Sequence, residues 1–240
     1  RYIGVTGVQT CALPIFGNFN ADNYLGTPLG DIAVSALNST GTGGEVLLLM
    51  GYKPEITAPN QKWDQASYAY TNAISIQATD PSEGFGRALS GGGDINGDGY
   101  DDLVIGAPNA NGGRGRIYVI LGRQSGSGLQ SAFNRNGQHG SIRVGNGIVP
   151  LDQFDWSAFN PNTLPGDLGS SVQLGFYIDN PDGSINSQFG YAVAIDGNLN
   201  GDRHSINQNN ITRTVDYADL IVGAPGDSNG NGKVYIYSFD

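Results

Sequence analysis

One short pattern occurs three times at matched spacing, and it restricts the chain to architectures assembled from repeated β-hairpins. Asp31 to Ala36 reads DIAVSA, Asp102 to Pro108 reads DLVIGAP and Asp219 to Pro225 reads DLIVGAP. From Asp31 to Val46, Asp102 to Ile117 and Asp219 to Val234 the interval to a second apolar run is fifteen positions each time; the runs read VLLLMG, IYVILG and VYIYSF. Between the paired runs lie LNSTGTGGE, NANGGRGR and GDSNGNGK, rich in Gly and Asn, which accept the positive backbone angles of tight turns. Each unit therefore reads as a hairpin. The strands are apolar at nearly every position instead of alternating, which predicts a sheet covered on both faces, as in stacked propeller blades.

The pattern extends upstream of the second and third hairpins. FGRALSGGGDINGD begins at Phe85-Gly86 and FGYAVAIDGNLNGD at Phe189-Gly190. Further strands, Ala73 to Ala78 and Gly175 to Asp179, bring the count to about four per repeat, the content of one propeller blade. A Phe-Gly pair, an acidic loop and then Gly-Ala-Pro make the chain resemble the FG-GAP repeat and, through it, the head domain of integrin α chains. Phe85-Gly86 with Gly106-Ala107-Pro108 carries the whole pattern, as does Phe189-Gly190 with Gly223-Ala224-Pro225. The first copy departs from it, with Ser35-Ala36-Leu37 in place of Gly-Ala-Pro. The fold class expected is all-β, a partial β-propeller of about three four-stranded blades, with repeats at 16–84, 85–188 and 189–240. Propellers of this kind close with about seven blades, so the resemblance implies a fragment whose remaining blades lie elsewhere in a longer chain. A three-unit solenoid and a ring closed by oligomerisation stay open as alternatives.

Residues 5–15, VTGVQTCALPI, read as the in-frame translation of a short-read sequencing adapter. Residues 1–15 are therefore set aside as not native. On this reading Cys11, the one cysteine, does not belong to the natural protein, which then has no disulfide and no thiol nucleophile. A cysteine-free ectodomain favours a bacterial surface protein over an animal receptor.

The middle repeat holds DINGDGYDD, Asp94 to Asp102. Side-chain oxygens recur at Asp94, Asn96 and Asp98, Gly99 permits a sharp bend, Tyr100 offers its carbonyl and Asp102 closes the loop. Hard oxygen donors around a glycine bend, with no His or Cys, suit Ca²⁺. An EF-hand frame would need a Glu at its twelfth position, where Ile105 stands, and a helix afterwards, where LVIGAP reads as strand. The loop instead matches the integrin-like version closed by an Asp at the ninth position. Laid on the first copy, the template takes Asn18, Asn20, Asp22 and Asp31; on the third it takes Asn198, Asn200, Asp202 and Asp219, with Arg203 at the bend. A shifted third register through Asp196, Asn198 and Asn200, bending at Gly201, is the alternative. Both flanking loops keep two carboxylates where the middle one has three, so weaker binding is expected there.

With 12 Lys plus Arg against 22 Asp plus Glu, the formal charge is −10, which disfavours nucleic acid and anionic membranes as partners. No apolar run is long enough to span a membrane. His139 and His204 sit in polar stretches without a nucleophile pattern; NGNGKV lacks the first glycine and the Ser or Thr of a phosphate loop, and there is no G-x-S-x-G elbow. No catalytic residue is assigned and the chain reads as a non-enzyme. Trp63, Trp156, Phe154, Tyr68 and Tyr70 lie between repeats and read first as packing residues, second as a binding surface. Arg123 to Leu174 is the longest connection, where specificity for a protein or glycan ligand at the cell surface or matrix is expected. The resemblance thus implies a calcium-stabilised, extracellular adhesion scaffold. The non-catalytic propeller of a larger secreted enzyme, phospholipase-like, and a structural spacer in a surface protein are the alternatives.

Overall fold

A computed structural model describes residues 8–9, 14–19, 23–24, 27–38, 44–49, 51, 73–78, 80–122, 143–144, 147–148, 175–195, 197–201, 203–208 and 211–239. Ahead of the first repeat, in the residues set aside above, lies β1 (Val8–Gln9), and β2 (Ile15–Gly17) straddles its start; the repeat continues with a small ribbon of β3 (Asn23–Tyr24) and β4 (Thr27–Pro28), then β5 (Asp31–Asn38), β6 (Gly44–Leu49) and β7 (Ala73–Gln77). The second contains β8 (Ala88–Gly93), β9 (Asp102–Ala107), β10 (Arg116–Ile120), a ribbon of β11 (Arg143–Val144) and β12 (Gly147–Ile148), and β13 (Gly175–Asp179). The third contains β14 (Ala192–Ile195), a ribbon of β15 (His204–Gln208) and β16 (Ile211–Val215), then β17 (Leu220–Ala224) and β18 (Lys233–Tyr237).

These form three antiparallel sheets, ordered β1-β5-β6-β7 with β2 also on β5, β13-β10-β9-β8, and β14-β17-β18. The chain is all-β, and its sheets have the strand content of a partial propeller. Equal spacing in the sequence becomes equal register: Ile32 pairs with Leu49, Leu103 with Ile120 and Leu220 with Tyr237. The hairpin turns use the backbone angles that their composition permits, positive at Asn111 and Gly112 and again at Ser228 and Asn229. The strands ahead of each Phe-Gly, β7 and β13, form the outer edge of the preceding sheet, on β6 and β10.

The continuous apolar runs are explained by two-sided burial of the middle sheet. Leu103, Ile105, Ala107, Tyr118 and Ile120 share one core with Phe19, Ala33, Val46, Leu48 and Ile76 of the first repeat. Their neighbours Val104, Ile117, Val119 and Leu121 share a second core with Phe189, Ile195, Leu220, Val222 and Ala224 of the third. The third sheet has the same pattern but is covered on one face. Val234 and Ile236, which correspond to the fully buried Ile117 and Val119, are 68% and 64% exposed.

The Phe-Gly and Gly-Ala-Pro segments form the joints. Within a repeat, the Gly86 amide donates to the Gly106 carbonyl at 3.0 Å and the Gly190 amide to that of Gly223 at 3.2 Å. Between repeats, Gly190 lies against Gly106 so closely that a Cβ on Gly106 would sit 2.0 Å from the Gly190 carbonyl oxygen. Phe189 is fully buried with edge-on contacts to Tyr235 and Tyr237, at centroid distances of 5.2 and 6.4 Å. Phe189→Ala is expected to cost about 3–5 kcal/mol through the cavity it leaves, read as a lower denaturation midpoint in urea. A change below about 1 kcal/mol would mean that the joint does not depend on this ring.

Candidate metal centre

The middle loop is wound by its own side chains. The Asp94 carboxylate accepts the amides of Gly97 at 2.7 Å and Asp98 at 3.1 Å on one oxygen, and that of Gly99 at 2.7 Å on the other. Asn96 Oδ1 accepts the Asp98 amide at 3.2 Å, and Asp98 Oδ1 the Tyr100 amide at 3.0 Å. These successive Asx turns need left-handed backbone between them, which Gly97 and Gly99 supply with φ of 70° and 90°. Asn96 also donates through Nδ2 to Asp98 Oδ2 at 3.0 Å. Asp94, Asn96 and Asp98 thus stand on one tight loop as hard oxygen donors, a set that fits Ca²⁺ by type and crowding.

Asp102 is placed differently from the other three. It is fully buried, and both carboxylate oxygens accept backbone amides, Oδ2 from Ile95 at 2.7 Å and Oδ1 from Gly122 at 2.8 Å. Burial first, then the charges of Asp98 and Asp94, push its carboxyl well above the ordinary range, against the pull of those two amides. Burial also raises Asp94, opposed by its three amide bonds. A divalent cation is the charge that would relieve both. Among the described residues, no three His, Cys, Asp or Glu side chains converge as a preformed metal cluster.

The same clamp recurs in the flanking repeats. Asp31 accepts the amides of Phe19 at 2.7 Å and Gly51 at 2.6 Å, the counterparts of Ile95 and Gly122. Asp219 accepts the Leu199 amide at 2.5 Å, but its buried Oδ1 has no hydrogen-bond partner. The position matching Gly51 and Gly122 is Phe239 in the third repeat. A Cβ on Gly122 would lie 2.3 Å from the Asp101 carbonyl oxygen, so a residue with a side chain cannot approach as that glycine does. In the third loop the Asn198 side chain accepts the Gly201 amide at 2.5 Å, and the exposed Arg203 is paired with Asp216 at 2.9 Å.

Asn20, Asp22, Asp202 and Asp196 lie outside the described residues, as do Cys11, Trp63, Tyr68, Tyr70, His139, Phe154 and Trp156. His204 lies in β15, opposite Val215. Reading the spacing alone missed Gly97, whose Cβ would meet the Tyr217 ring at 2.6 Å, and Asp101, whose Oδ2 accepts the Asn18 amide at 2.7 Å. It also missed the clamping glycines, although a glycine closing VLLLMG and IYVILG was a visible signal.

Residues 85–120 match the FG-GAP repeat. The chain is 37% identical over 96 residues to integrin alpha-PS3 of Drosophila melanogaster, covering 38% of this chain and 8% of that protein. It is 31% identical over 149 residues to integrin alpha ina-1 of Caenorhabditis elegans, covering 60% and 9%. It is 33% identical over 160 residues to integrin alpha-6 of Gallus gallus, covering 60% and 14%. The chain therefore spans a small part of the length of these relatives, and over that part it carries an FG-GAP repeat and is similar to integrin α chains.

Proposed function

We propose that the chain is part of a calcium-stabilised extracellular scaffold for adhesion or binding, in which the cation holds a loop and performs no catalysis. The observation that carries this reading is the middle loop, where four carboxylates, Asp94, Asp98, Asp101 and Asp102, occupy nine residues and Asp94 and Asp102 are both driven upward by burial. Asp94, Asn96 and Asp98 would hold the ion through side-chain oxygens, with the Tyr100 carbonyl and Asp102 completing the set. When bound, it would supply the positive charge that lets these acids stay ionised together. Sites of this kind in extracellular modules bind at about 10⁻⁴–10⁻³ M, which suits a calcium-rich exterior. The flanking loops, Asn18 with Asn20, Asp22 and Asp31, and Asn198 with Asn200, Asp202 and Asp219, are weaker versions.

Similarity to integrin α chains supports an integrin-like role, and no helix among the described residues is long and apolar enough to cross a membrane. On this reading a protein or glycan partner would bind the long connection from Arg123 to Leu174, which lies outside the described residues apart from 143–144 and 147–148. A further blade would cover Val234 and Ile236, as the third sheet covers Ile117 and Val119.

Thermal unfolding in millimolar calcium and in chelator tests the reading. At a hundredfold excess over Kd one site adds about 2.7 kcal/mol, or roughly 5–10 °C in Tm for a chain of this size. Asp98→Asn should lose most of that increment. Superimposable curves with and without calcium would refute it.

A further inference from the structure

The acidic loops are joined to one another by backbone hydrogen bonds that skip the strands between them. Asn18 heads the first loop, and its carbonyl accepts the Asp101 amide at 3.3 Å while its own amide donates to Asp101 Oδ2 at 2.7 Å. Asp94 heads the middle loop, and its carbonyl accepts the Ala218 amide at 2.8 Å. Asp101 and Ala218 occupy the same place, immediately before the buried aspartates Asp102 and Asp219. The head of each loop is thus fastened to the tail of the next. A packing contact reinforces the second link, since the Tyr217 ring fills the space where a Gly97 side chain would be.

We propose that the loops of successive blades act in series, so that a divalent cation taken by the middle loop is transmitted to Asn18 through Asp101 and to Ala218 through Asp94. This rests on the calcium reading of the middle loop. The physical argument is short. A ligated Asp94 cannot rotate freely, so its carbonyl holds the Ala218 amide more persistently; a fixed Asp101, one residue from Asp102, does the same for Asn18. Asp101 is here a positioning residue, acting on the first loop through a carboxylate that the cation itself does not need. The two links differ in strength, because Asn18 and Asp101 exchange two bonds whereas Ala218 has no side-chain acceptor to return the second.

Amide hydrogen exchange of the whole chain, compared in saturating calcium and in chelator, tests the coupling. The expected result is slower exchange at Gly97 and Gly99 and, beyond the loop, at Asn18, Asp101 and Ala218, by about 5- to 150-fold, with Asn18 responding more than Ala218. In Asp101→Ala the response at Gly97 and Gly99 should persist while that at Asn18 is lost. Asp101→Asn should restore it, because the amide oxygen can accept the same N–H. A response confined to Gly97 and Gly99, or an Asn18 response that survives Asp101→Ala, overturns the coupling and leaves calcium binding intact. Absence of any response at Gly97 and Gly99 overturns both.

Discussion

Gly106→Ala is expected to lower the unfolding free energy by about 3 kcal/mol or more, at the upper end of what one added methyl does in a packed interior. The methyl would sit 2.0 Å from the Gly190 carbonyl oxygen, a backbone atom that cannot swing aside as a side-chain tip can. Relief therefore requires the third repeat to back away from the second. Gly190 is anchored to the second repeat by the residues just before it, the Gln188 amide donating to the Gly113 carbonyl at 3.0 Å and the Phe189 amide to that of Arg114 at 3.2 Å. Moving the joint would strain or break these bonds and uncover Phe189. Gly30→Ala is the matched control, since a Cβ there meets nothing within 4 Å and its backbone angle is ordinary; its midpoint should not move. Equal urea midpoints for the two variants would show that Gly106 has no special role in seating the third repeat. The first repeat places Ser35 where Gly106 stands in the second, and the approach is correspondingly looser, with a Gly86 Cβ falling 3.2 Å from Ser35 Cβ.

What the sequence made legible was whatever repeats along the chain. Fifteen positions between apolar runs became a common hairpin register because strand pairing with equal turns preserves spacing. Unbroken hydrophobicity in β9 and β10 signalled two covered faces, and Leu103 and Val104 do point into different cores. The oxygen donors of DINGDGYDD were equally readable, since Asx turns are made between residues two to five positions apart. Contacts that cross between repeats were not. The Asn18 to Asp101 bond spans 83 positions from one repeat to the next, and no local periodicity encodes it; the Asp102 to Gly122 bond, within one repeat, spans 20. Asp102 was therefore visible as an acid of the loop but not as the acceptor for two amides. The strands β7 and β13, just ahead of each Phe-Gly, pair with β6 and β10 of the sheet before it, a choice made by packing and not by the strand's own residues.

Asp102→Ala is the second substitution expected to be severe, and it separates two roles that one carboxylate can combine. As a clamp, Asp102 satisfies the amides of Ile95 and Gly122, both in buried residues, and leaving each unpaired costs about 1–3 kcal/mol. Against this, the variant removes a buried charge repelled by Asp98 and Asp94, which on its own would stabilise the chain without a cation. The clamp should win, because two short amide bonds are lost together and a methyl returns neither. A net loss of about 3 kcal/mol is expected in chelator. Asp102→Asn should recover less than half, since its one oxygen can serve one amide while its NH₂ group faces the other donor. As a ligand, Asp102 should matter again when calcium is added, so that the gap between wild type and Asp102→Ala widens in Tm. A gap seen in chelator alone would leave the clamp and remove Asp102 from the cation site. A gap seen in calcium alone would do the reverse, and would extend to Asp31, which makes the same pair of bonds in the first repeat.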